Sequence, residues 1–388
     1  MVLAGAAAFV NLYATQSLLP LLRAWMGAGA AQAGLVVSAG TLGVALAAPF
    51  AGFLADRVGR RRLIVLAAFL AVLPGLAAPL AQSAWQLIAA RFAQGLFLPA
   101  IFAVTVAYIG SEWPPRESRA VTSLYVAGTI GGGFLGRFTS GVVAEFSGWR
   151  WALAALALLQ LLLALAIRAW LPPERAPSPP ARSPWLALRQ LLARPEIRGV
   201  YGLGFVILFA LVGGFTYVTL RLAESPFSLG PAALSLIFAV YLIGMTITSL
   251  AGRLLNRYGH RAVLAQAWAL AALGLALTLS HGLPAVIAGL ALFSAGLFVA
   301  QAGATSFVTE AAGALRGPAV GLYVTCYYAG GSVGGVLPAP FWERAGWPAV
   351  VALLVLCGAL SVAAAWRSLR LPPPAVEDTV LEAGGEAP

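Results

Sequence analysis

Arg91 and Arg137 each lie inside a long apolar run, where a charged side chain is unexpected. A charge in the interior of a membrane costs about 3 kcal/mol or more unless it meets water or polar partners. Gln94 follows Arg91 by three residues and therefore lies on the same face of a helix. No aspartate or glutamate lies in the middle of any apolar run. Two interior arginines without an interior acid indicate an anion site, or a proton site made by other groups, unless each arginine only holds neighbouring helices together.

A second charged pattern, residues 52–62, reads Gly-Phe-Leu-Ala-Asp-Arg-Val-Gly-Arg-Arg-Arg and separates two apolar runs. Gly59 permits a tight turn, and the Asp56 carboxylate can pair with arginine or with the positive end of a helix. A weaker copy follows 200 residues later, with Asn256 in place of the aspartate. We predict that the two segments form a conformational latch; the alternative is that they only orient the chain. The predicted latch residues are Gly52, Asp56, Arg57, Gly59, Arg60, Arg61, Asn256, Arg257 and Arg261.

The composition indicates a membrane protein. Of the 388 residues, 61% are hydrophobic and 10% are charged, with a mean hydropathy of +0.89, whereas a soluble domain carries roughly a quarter charged residues. The net charge of +11 comes from 24 arginines clustered between apolar runs, so it is a topology signal and not a sign of nucleic-acid binding. Cys326 and Cys357 both lie in apolar runs and form no metal or disulfide pattern. We therefore expect no metal, no cofactor and no nucleic-acid partner.

Twelve apolar runs are long enough to cross a bilayer as helices, which need roughly 20 residues each. We predict an all-α polytopic membrane protein whose first run is a spanning helix and not a signal peptide. Of the connecting segments, those on the side of residues 52–62 hold 18 arginines and those on the other side hold 4, so both termini should be cytoplasmic. The predicted spans are 2–22, 33–54, 63–82, 84–109, 120–143, 149–168, 198–220, 230–252, 262–280, 284–308, 319–340 and 347–366.

The two halves of the chain repeat each other. Residues 123–149 align without gaps on residues 321–347, so that Trp149 corresponds to Trp347. Two six-helix lobes in the same orientation are related by an axis along the membrane normal, with a cavity between them near the midplane. The predicted domains are a first lobe (1–168), a cytoplasmic linker rich in proline and arginine (169–197), a second lobe (198–366) and a disordered cytoplasmic tail (367–388).

The chain resembles the major facilitator superfamily over nearly its whole length. The signature of that family after its second helix is Gly-x-x-x-Asp-Arg-x-Gly-Arg-Arg/Lys-Arg/Lys, which residues 52–62 match in full. Within the family the chain is similar to drug:proton antiporters, including arabinose-efflux-permease-like and acriflavine-sensitivity proteins of bacteria, through residues 13–20, 91–95 and 131–137. One departure is Arg137, which stands where those antiporters have a proline. The resemblance implicates Arg91 in proton coupling, and the full set of candidates is Arg91, Gln94, Arg137, Glu310 and Asp56.

Polar and aromatic residues of the helices that line such cavities are candidates for substrate contact, although tyrosine is also common at membrane interfaces. They are Asn11, Tyr13, Gln16, Tyr125, Tyr217, Tyr241, Gln301, Tyr323, Tyr327 and Tyr328. Small residues that recur every four positions let helix backbones approach closely. The resemblance implies that helices 5 and 8, and helices 2 and 11, meet between the lobes. We therefore predict that glycines of helices 5 and 11 form the lobe interface; these are Gly128, Gly132, Gly136, Gly330 and Gly334.

These features predict a secondary active transporter that exports a small molecule across the inner membrane of a bacterium by alternating access, driven by proton antiport. One alternative is an uptake carrier of the same fold, or an organic-anion exchanger that uses Arg91 and Arg137. A remote alternative is a membrane sensor or enzyme, for which the sequence offers no paired carboxylates, nucleophile motif or phosphate loop. The expected partners are a small-molecule substrate and membrane lipid, and we expect a monomer.

Overall fold

The computed structural model describes residues 1–175 and 184–369, without the side chains of residues 115, 184–188, 244–246, 248–250 and 314. All regular structure in these ranges is helical, which confirms the predicted fold class. The α-helices are α1 (Val2–Phe9), α2 (Leu19–Met26), α3 (Ala30–Val58), α4 (Arg60–Leu70), α5 (Val72–Ala77), α6 (Ala84–Glu112), α7 (Pro115–Trp170), α8 (Pro184–Ala193), α9 (Pro195–Ala223), α10 (Pro231–Ile237), α11 (Val240–Leu277), α12 (Leu283–Ala312), α13 (Arg316–Val336) and α14 (Ala339–Ser368). Short 3-10 helices lie at Ala14–Leu18, Ala78–Leu80 and Gly313–Leu315.

By length and composition, eight helices of the described ranges could cross a membrane, and the bent pair at residues 2–26 is a ninth. Three of the long helices contain two segments each, because Gly148 breaks α7 with φ 81°, Gly259 breaks α11 with φ 74° and Gly346 breaks α14 with φ 64°. Glycine adopts these positive φ angles without steric cost. With these breaks, and with α10 and α13, a helical segment occupies each of the twelve predicted spans.

The first predicted span is not one continuous helix. Residues 10–13 form turns after α1, a 3-10 helix follows, and the chain bends by 42° before α2. Pro20 contributes to the break, because it has no N–H to donate to the carbonyl of Gln16 and its ring clashes with the preceding turn. Several carbonyl oxygens of residues 10–14 are therefore available to side chains of other helices.

The helices pair in the same way in both halves of the chain. In the first half α1 packs against α7 and α3 packs against α6; in the second half α9 packs against α13 and α11 packs against α12. Between the halves, α3 packs against α13 and α10 packs against the first part of α7. We call the end of the helices that carries residues 52–62 the arginine-rich end, and the other end the opposite end.

The predicted contacts of helix 5 with helix 8 and of helix 2 with helix 11 are present, as α7 with α10 and α3 with α13, but the five predicted glycines face helices of their own half instead. A Cβ atom on Gly136 would overlap the carbonyl oxygen of Val10 in α1, which belongs to the same half. The other glycines of the set show the same pattern: Gly128 and Gly132 meet the backbone of α1, while Gly330 and Gly334 meet the backbone of α9. The spacing of small residues does report a close helix approach. That approach holds each half together and does not join the two lobes.

Replacing Gly136 with valine is expected to destabilise the first half by about 1–3 kcal/mol, because the new side chain must displace the backbone of α1. Gly131, in the same helix, is a matched control, since a Cβ there meets no atom within 4 Å. Thermal unfolding of the purified variants in detergent measures the effect. Equal melting temperatures for Gly136→Val and Gly131→Val would contradict this packing.

The predicted domain boundaries stay a prediction. Within the predicted linker the chain forms α8, and α9 begins at Pro195, slightly before the predicted start of the second lobe. The middle of the predicted linker, residues 176–183, and most of the predicted tail, residues 370–388, lie outside the described residues.

Candidate functional site

Residues 52–62 form the end of α3 and the beginning of α4, joined at Gly59 with φ 92°. Arg61 Nε donates to the carbonyl of Leu171, at the end of α7, at 2.9 Å. In the second half, Arg261 Nε donates to the carbonyl of Leu369, at the end of α14, at 2.6 Å. A cation is favourable at a helix C-terminus, where carbonyl groups are unpaired. Each arginine therefore ties its segment to the last helix of its own half.

The other predicted latch residues lie at the surface of the arginine-rich end. Asp56 and Asn256 are exposed, and the Arg57 guanidinium carbon lies 4.1 Å from the centre of the Phe53 ring. Gly52 has no atom within 4 Å of the position of a Cβ. Among the described side chains, no hydrogen bond or ion pair of the two latch segments reaches the other half. The latch, which also includes Arg60 and Arg257, therefore stays a prediction.

At the opposite end, two equivalent glutamates join the halves. Glu145, at the end of the first part of α7, accepts the backbone N–H of Ala232 at the start of α10 at 3.1 Å. Glu343, which is 198 residues later, accepts the backbone N–H of Ala30 at the start of α3 at 3.2 Å. A carboxylate is stabilised at a helix N-terminus by the free N–H groups and by the helix dipole. Each half thus caps a helix of the other half.

Further contacts complete this closed end. The backbones of Gly34 and Gly335 touch, so that a Cβ on Gly34 would overlap the carbonyl oxygen of Gly335. Arg23 and Glu224 form an ion pair at 3.4 Å, and the hydroxyl of Ser332 donates to the carbonyl of Ser38 at 3.2 Å. In the described part of the chain, every hydrogen bond and ion pair that joins the halves lies toward the opposite end. The described polar contacts therefore hold the halves together at the opposite end, and none of them joins the halves at the arginine-rich end.

Arg91 is enclosed within the first half. Its Nη2 donates to the carbonyls of Asn11 and Leu12 at 2.6 and 2.8 Å, where the first helix is interrupted, and its Nη1 donates to Gln94. Gln94 in turn donates to the carbonyl of Ala71 at 3.3 Å. These contacts use carbonyls at the interruption of the first helix, of which that of Asn11 also accepts the N–H of Ala14 at 3.3 Å. The geometry supports the structural alternative for Arg91, and none of these partners belongs to the second half.

Arg137 lies where the halves meet. Its Nη1 donates to the carbonyl of Gly133 at 2.9 Å, one turn earlier in α7. Its guanidinium carbon lies 4.6 and 5.1 Å from the ring centres of Phe238 and Tyr241 in the second half, and 5.1 Å from that of Tyr13. The side chain is 3% exposed. Aromatic faces stabilise a desolvated cation, so the charge is held in an aromatic cage built by both halves.

Gln16 connects this cage to the second half. Its Oε1 accepts from both Nε and Nη2 of Arg137, at 3.2 and 3.0 Å. Its Nε2 donates to the hydroxyl of Thr216 in α9 at 3.4 Å. Because the residue lies in the 3-10 segment of the first span, the interruption of that helix also positions this bridge. Gln16 is the only predicted cavity residue for which a described hydrogen bond crosses between the halves.

Three of the predicted cavity tyrosines, Tyr13, Tyr241 and Tyr327, are partly exposed. Tyr13 of the first half and Tyr241 of the second half lie beside Arg137, each with its ring centre 5.1 Å from the guanidinium carbon. The ring centres of Tyr327 and Tyr328 lie 5.5 Å apart, and Tyr328 stacks on Phe102 of the first half with ring centres 5.7 Å apart. Aromatic residues of both halves therefore meet at two places between the halves, and their contact with substrate stays a prediction.

The remaining cavity candidates are tied within their own halves. The amide of Asn11 donates to Gln160 at 3.0 Å, and the hydroxyl of Tyr125 donates to the carbonyl of Phe102 at 3.1 Å. In the second half, Tyr217 donates to the carbonyl of Gly335 at 3.0 Å and Tyr323 donates to the partly exposed Gln301 at 2.7 Å. Buried polar groups need such partners. For Asn11, Tyr125, Tyr217 and Tyr323 the polar groups thus have partners in their own half, and contact of these side chains with substrate stays a prediction.

Glu310 lies at the arginine-rich end of α12 and accepts from the hydroxyl of Ser306 at 2.7 Å. Its Oε1 lies 3.6 Å from His260 Nε2, which follows the Gly259 break. The sequence had offered no histidine relay because His260 falls in a predicted loop. The repeat likewise aligned Glu145 with Glu343 but did not reveal that each contacts the opposite half.

Comparison with known proteins gives the context of this geometry. The family model described as Major Facilitator Superfamily matches residues 1–225 and 219–387. The inner membrane transport protein YnfM of Escherichia coli strain K12 is 32% identical over 356 residues, which are 91% of this chain and 85% of that protein. An uncharacterised transporter of Buchnera aphidicola subsp. Baizongia pistaciae is 30% identical over 354 residues, 89% of this chain and 86% of that one. The fold is also that of a bacterial homologue of the human lysosomal transporter Spinster, solved in an inward-facing and occupied conformation, with a TM-score of 0.75, 16% identity and 96% of each chain covered.

Proposed function

Because this chain belongs to the major facilitator superfamily, a family of small-molecule transporters and not of enzymes, we propose that it exports its substrate across the bacterial inner membrane by alternating access, in exchange for protons. The observation that carries this proposal is the arrangement of contacts between the halves. Those described lie toward the opposite end, and none lies at the arginine-rich end. This arrangement supports the proposal because it is what we expect of one of the two states of an alternating-access cycle.

The arginine distribution supports the direction. Cytoplasmic segments carry the excess of arginine in membrane proteins, so the arginine-rich end is assigned to the cytoplasm together with both termini. The described state then faces inward, and a cytoplasmic molecule reaches the tyrosines and Arg137 from that side. Closing of the 52–62 segment and its copy, with opening of the glutamate contacts, would release the molecule outside.

Proton coupling has one candidate pair that can itself gain and lose protons. Glu310 and His260 lie 3.6 Å apart at the inward-facing end, and both carry titratable side chains. Of the other predicted candidates, Gln94 only supports Arg91, and Arg91 is held by carbonyls of its own half. We assign the driving force to the proton gradient and not to a bound cofactor.

Inside-out vesicles test the proposal. After a pH jump that makes the interior acidic, wild-type vesicles should take up a substrate from a drug and metabolite panel while protons leave the interior. Glu310→Gln should lower the coupled proton movement, because a glutamine amide does not accept the proton. Substrate exchange without any proton movement would overturn antiport and favour the organic-anion exchanger. Of the two interior arginines named for that alternative, only Arg137 contacts the other half.

Asp56→Asn is expected to lower the initial transport rate severalfold while membrane insertion stays normal, because the variant loses the only carboxylate of the latch segments. Initial rates in proteoliposomes measure this. Asn256→Asp is the matched control, since it adds a carboxylate at the equivalent exposed position and should not lower the rate. An unchanged rate for Asp56→Asn would contradict the latch.

A further inference from the structure

The buried charge of Arg137 has no ionic partner among the described side chains. Its polar contacts are one amide oxygen, that of Gln16, and one backbone carbonyl, that of Gly133. A buried cation that lacks a counter-ion is strongly unfavourable, and rings compensate for only part of the lost hydration. The site is therefore suited to an anion that comes from outside the chain.

The hydrogen bonds of Arg137 show which edge of the guanidinium would receive the anion. Nε and Nη2 form the side edge of the guanidinium, and both donate to the single Oε1 atom of Gln16. This same edge binds a carboxylate through two parallel hydrogen bonds, one to each oxygen. Gln16 therefore offers one neutral oxygen at a position where a carboxylate would offer two charged oxygens.

We propose that Arg137 binds the carboxylate of an aromatic or otherwise apolar substrate, which replaces Gln16 on the Nε/Nη2 edge. The apolar part of that substrate is indicated by the surroundings of the guanidinium. Tyr13 and Tyr241 flank it and are partly exposed, and Tyr241 lies 4.5 Å from Phe215 and 5.5 Å from Phe298 between ring centres. Flat aromatic surfaces suit an aromatic ligand, while the excluded water strengthens the charge pair. This inference rests on the proposed transport function, because it names the substrate class of that same cavity.

The replacement of Gln16 would also transmit binding to the second half. In the structure the Gln16 side chain accepts from Arg137 at its oxygen and donates from its nitrogen to Thr216. When the carboxylate binds the guanidinium of Arg137, Gln16 loses the two hydrogen bonds that orient it, so its hydrogen bond to Thr216 weakens. A contact between the halves near the opposite end is then lost, which favours the outward-open state.

Arg91 shows what a purely structural interior arginine looks like in this fold. Two of its contacts are the backbone carbonyls of Asn11, which also accepts the N–H of Ala14 at 3.3 Å, and of Leu12. Aromatic rings of the second half surround Arg137 but not Arg91 among the described contacts. The two arginines therefore differ in their environment, although both are buried to the same degree, at 3% exposed.

Binding to the purified, full-length protein in detergent tests the inference. The probes are benzoate, 4-hydroxybenzoate and indole-3-acetate, each paired with its neutral amide, and the readouts are the shift in melting temperature and the Kd from calorimetry. At least one acid should bind the wild type about tenfold or more tightly than its amide, since two charge-assisted hydrogen bonds distinguish them. Arg137→Gln should abolish this preference for the acid. Arg137→Lys keeps the charge but lacks the two parallel N–H donors, so it should retain only part of the preference.

The variant Gln16→Ala tests whether Gln16 competes with the carboxylate for Arg137 or only stabilises the structure. If Gln16 competes with the carboxylate, its removal should tighten acid binding severalfold even if the unliganded protein melts at a lower temperature. Arg150→Gln is the matched control: Arg150 also lies over two rings, 5.3 and 4.3 Å from their centres, and donates to the carbonyl of Ala81, but within the first half. The Arg150→Gln variant should still bind the acid more tightly than its amide.

Two results would overturn the inference: no acid of the series binds better than its amide, or the preference survives in Arg137→Gln. Vesicle transport distinguishes this failure from failure of the proposed function. Proton-coupled export of a neutral compound, unaffected by the acids, would support the proposed transport function and contradict the carboxylate site. Acid binding that depends on Arg137, without proton movement, would support the carboxylate site and contradict proton antiport.

Discussion

Replacing Gly34 with valine is expected to reduce transport to background, because the opposite end can no longer close. The backbone of Gly34 touches that of Gly335 across the two halves, and even a Cβ atom would overlap the carbonyl oxygen of Gly335. This carbonyl also accepts the hydroxyl of Tyr217 at 3.0 Å, so it cannot move freely. Backbone cannot yield as a flexible side chain does, and the two halves must separate to make room.

The clash of Gly34→Val lies between the halves and not inside one of them. The variant should therefore fold and insert normally, unlike Gly136→Val, whose side chain would meet α1 of its own half. Spin labels at positions 23 and 224, which form the ion pair of the closed end, report the separation of the halves. The labelled variant should show a longer distance than the wild type, with an initial transport rate near zero.

Gly202→Val is the matched control for Gly34→Val, since a Cβ at position 202 meets no atom within 4 Å. It should keep both the label distance and the transport rate of the wild type. Wild-type transport by Gly34→Val would contradict the view that the tight backbone contact belongs to a state of the transport cycle.

The double variant Glu145→Gln/Glu343→Gln is expected to shift the population toward the outward-open state. Each carboxylate accepts a backbone N–H at the first turn of a helix in the other half, at 3.1 and 3.2 Å. Charge at a helix N-terminus contributes about 0.3–1 kcal/mol, so two such sites contribute about 0.6–2 kcal/mol together. That free energy changes the ratio of the two states by roughly 3- to 30-fold.

The internal repeat also predicts how much each single substitution should shift the population. Glu145 and Glu343 occupy equivalent positions and make the same kind of contact, so each single substitution should produce about half of the shift in free energy. Spin labels at the opposite end measure the populations. Glu117→Gln is the control, because Glu117 lies in the first turn of its own helix, α7. A population unchanged in the double variant would show that these contacts do not hold the closed end together.

The membrane-spanning segments, the repeat and the family signature could all be predicted from the sequence. Hydropathy reports spans locally because a helix in lipid must satisfy its backbone within itself, whatever its neighbours are. The break in the first helix was missed, although Pro20 marks it, because a long apolar run dominates the hydropathy of residues 2–22. The identity of the contacts between helices needed the folded chain.

Gly136 shows the limit most clearly. Its spacing with Gly128 and Gly132 determined that a backbone approaches α7 closely, but a small residue carries no information about which helix approaches. The same holds for charge. The sequence determined that Arg91 and Arg137 are buried, since both stand in apolar runs. Only the tertiary structure decided that Arg91 donates to carbonyls of its own half while Arg137 lies in an aromatic cage shared by both halves, because partners so distant in sequence meet only when the helices pack.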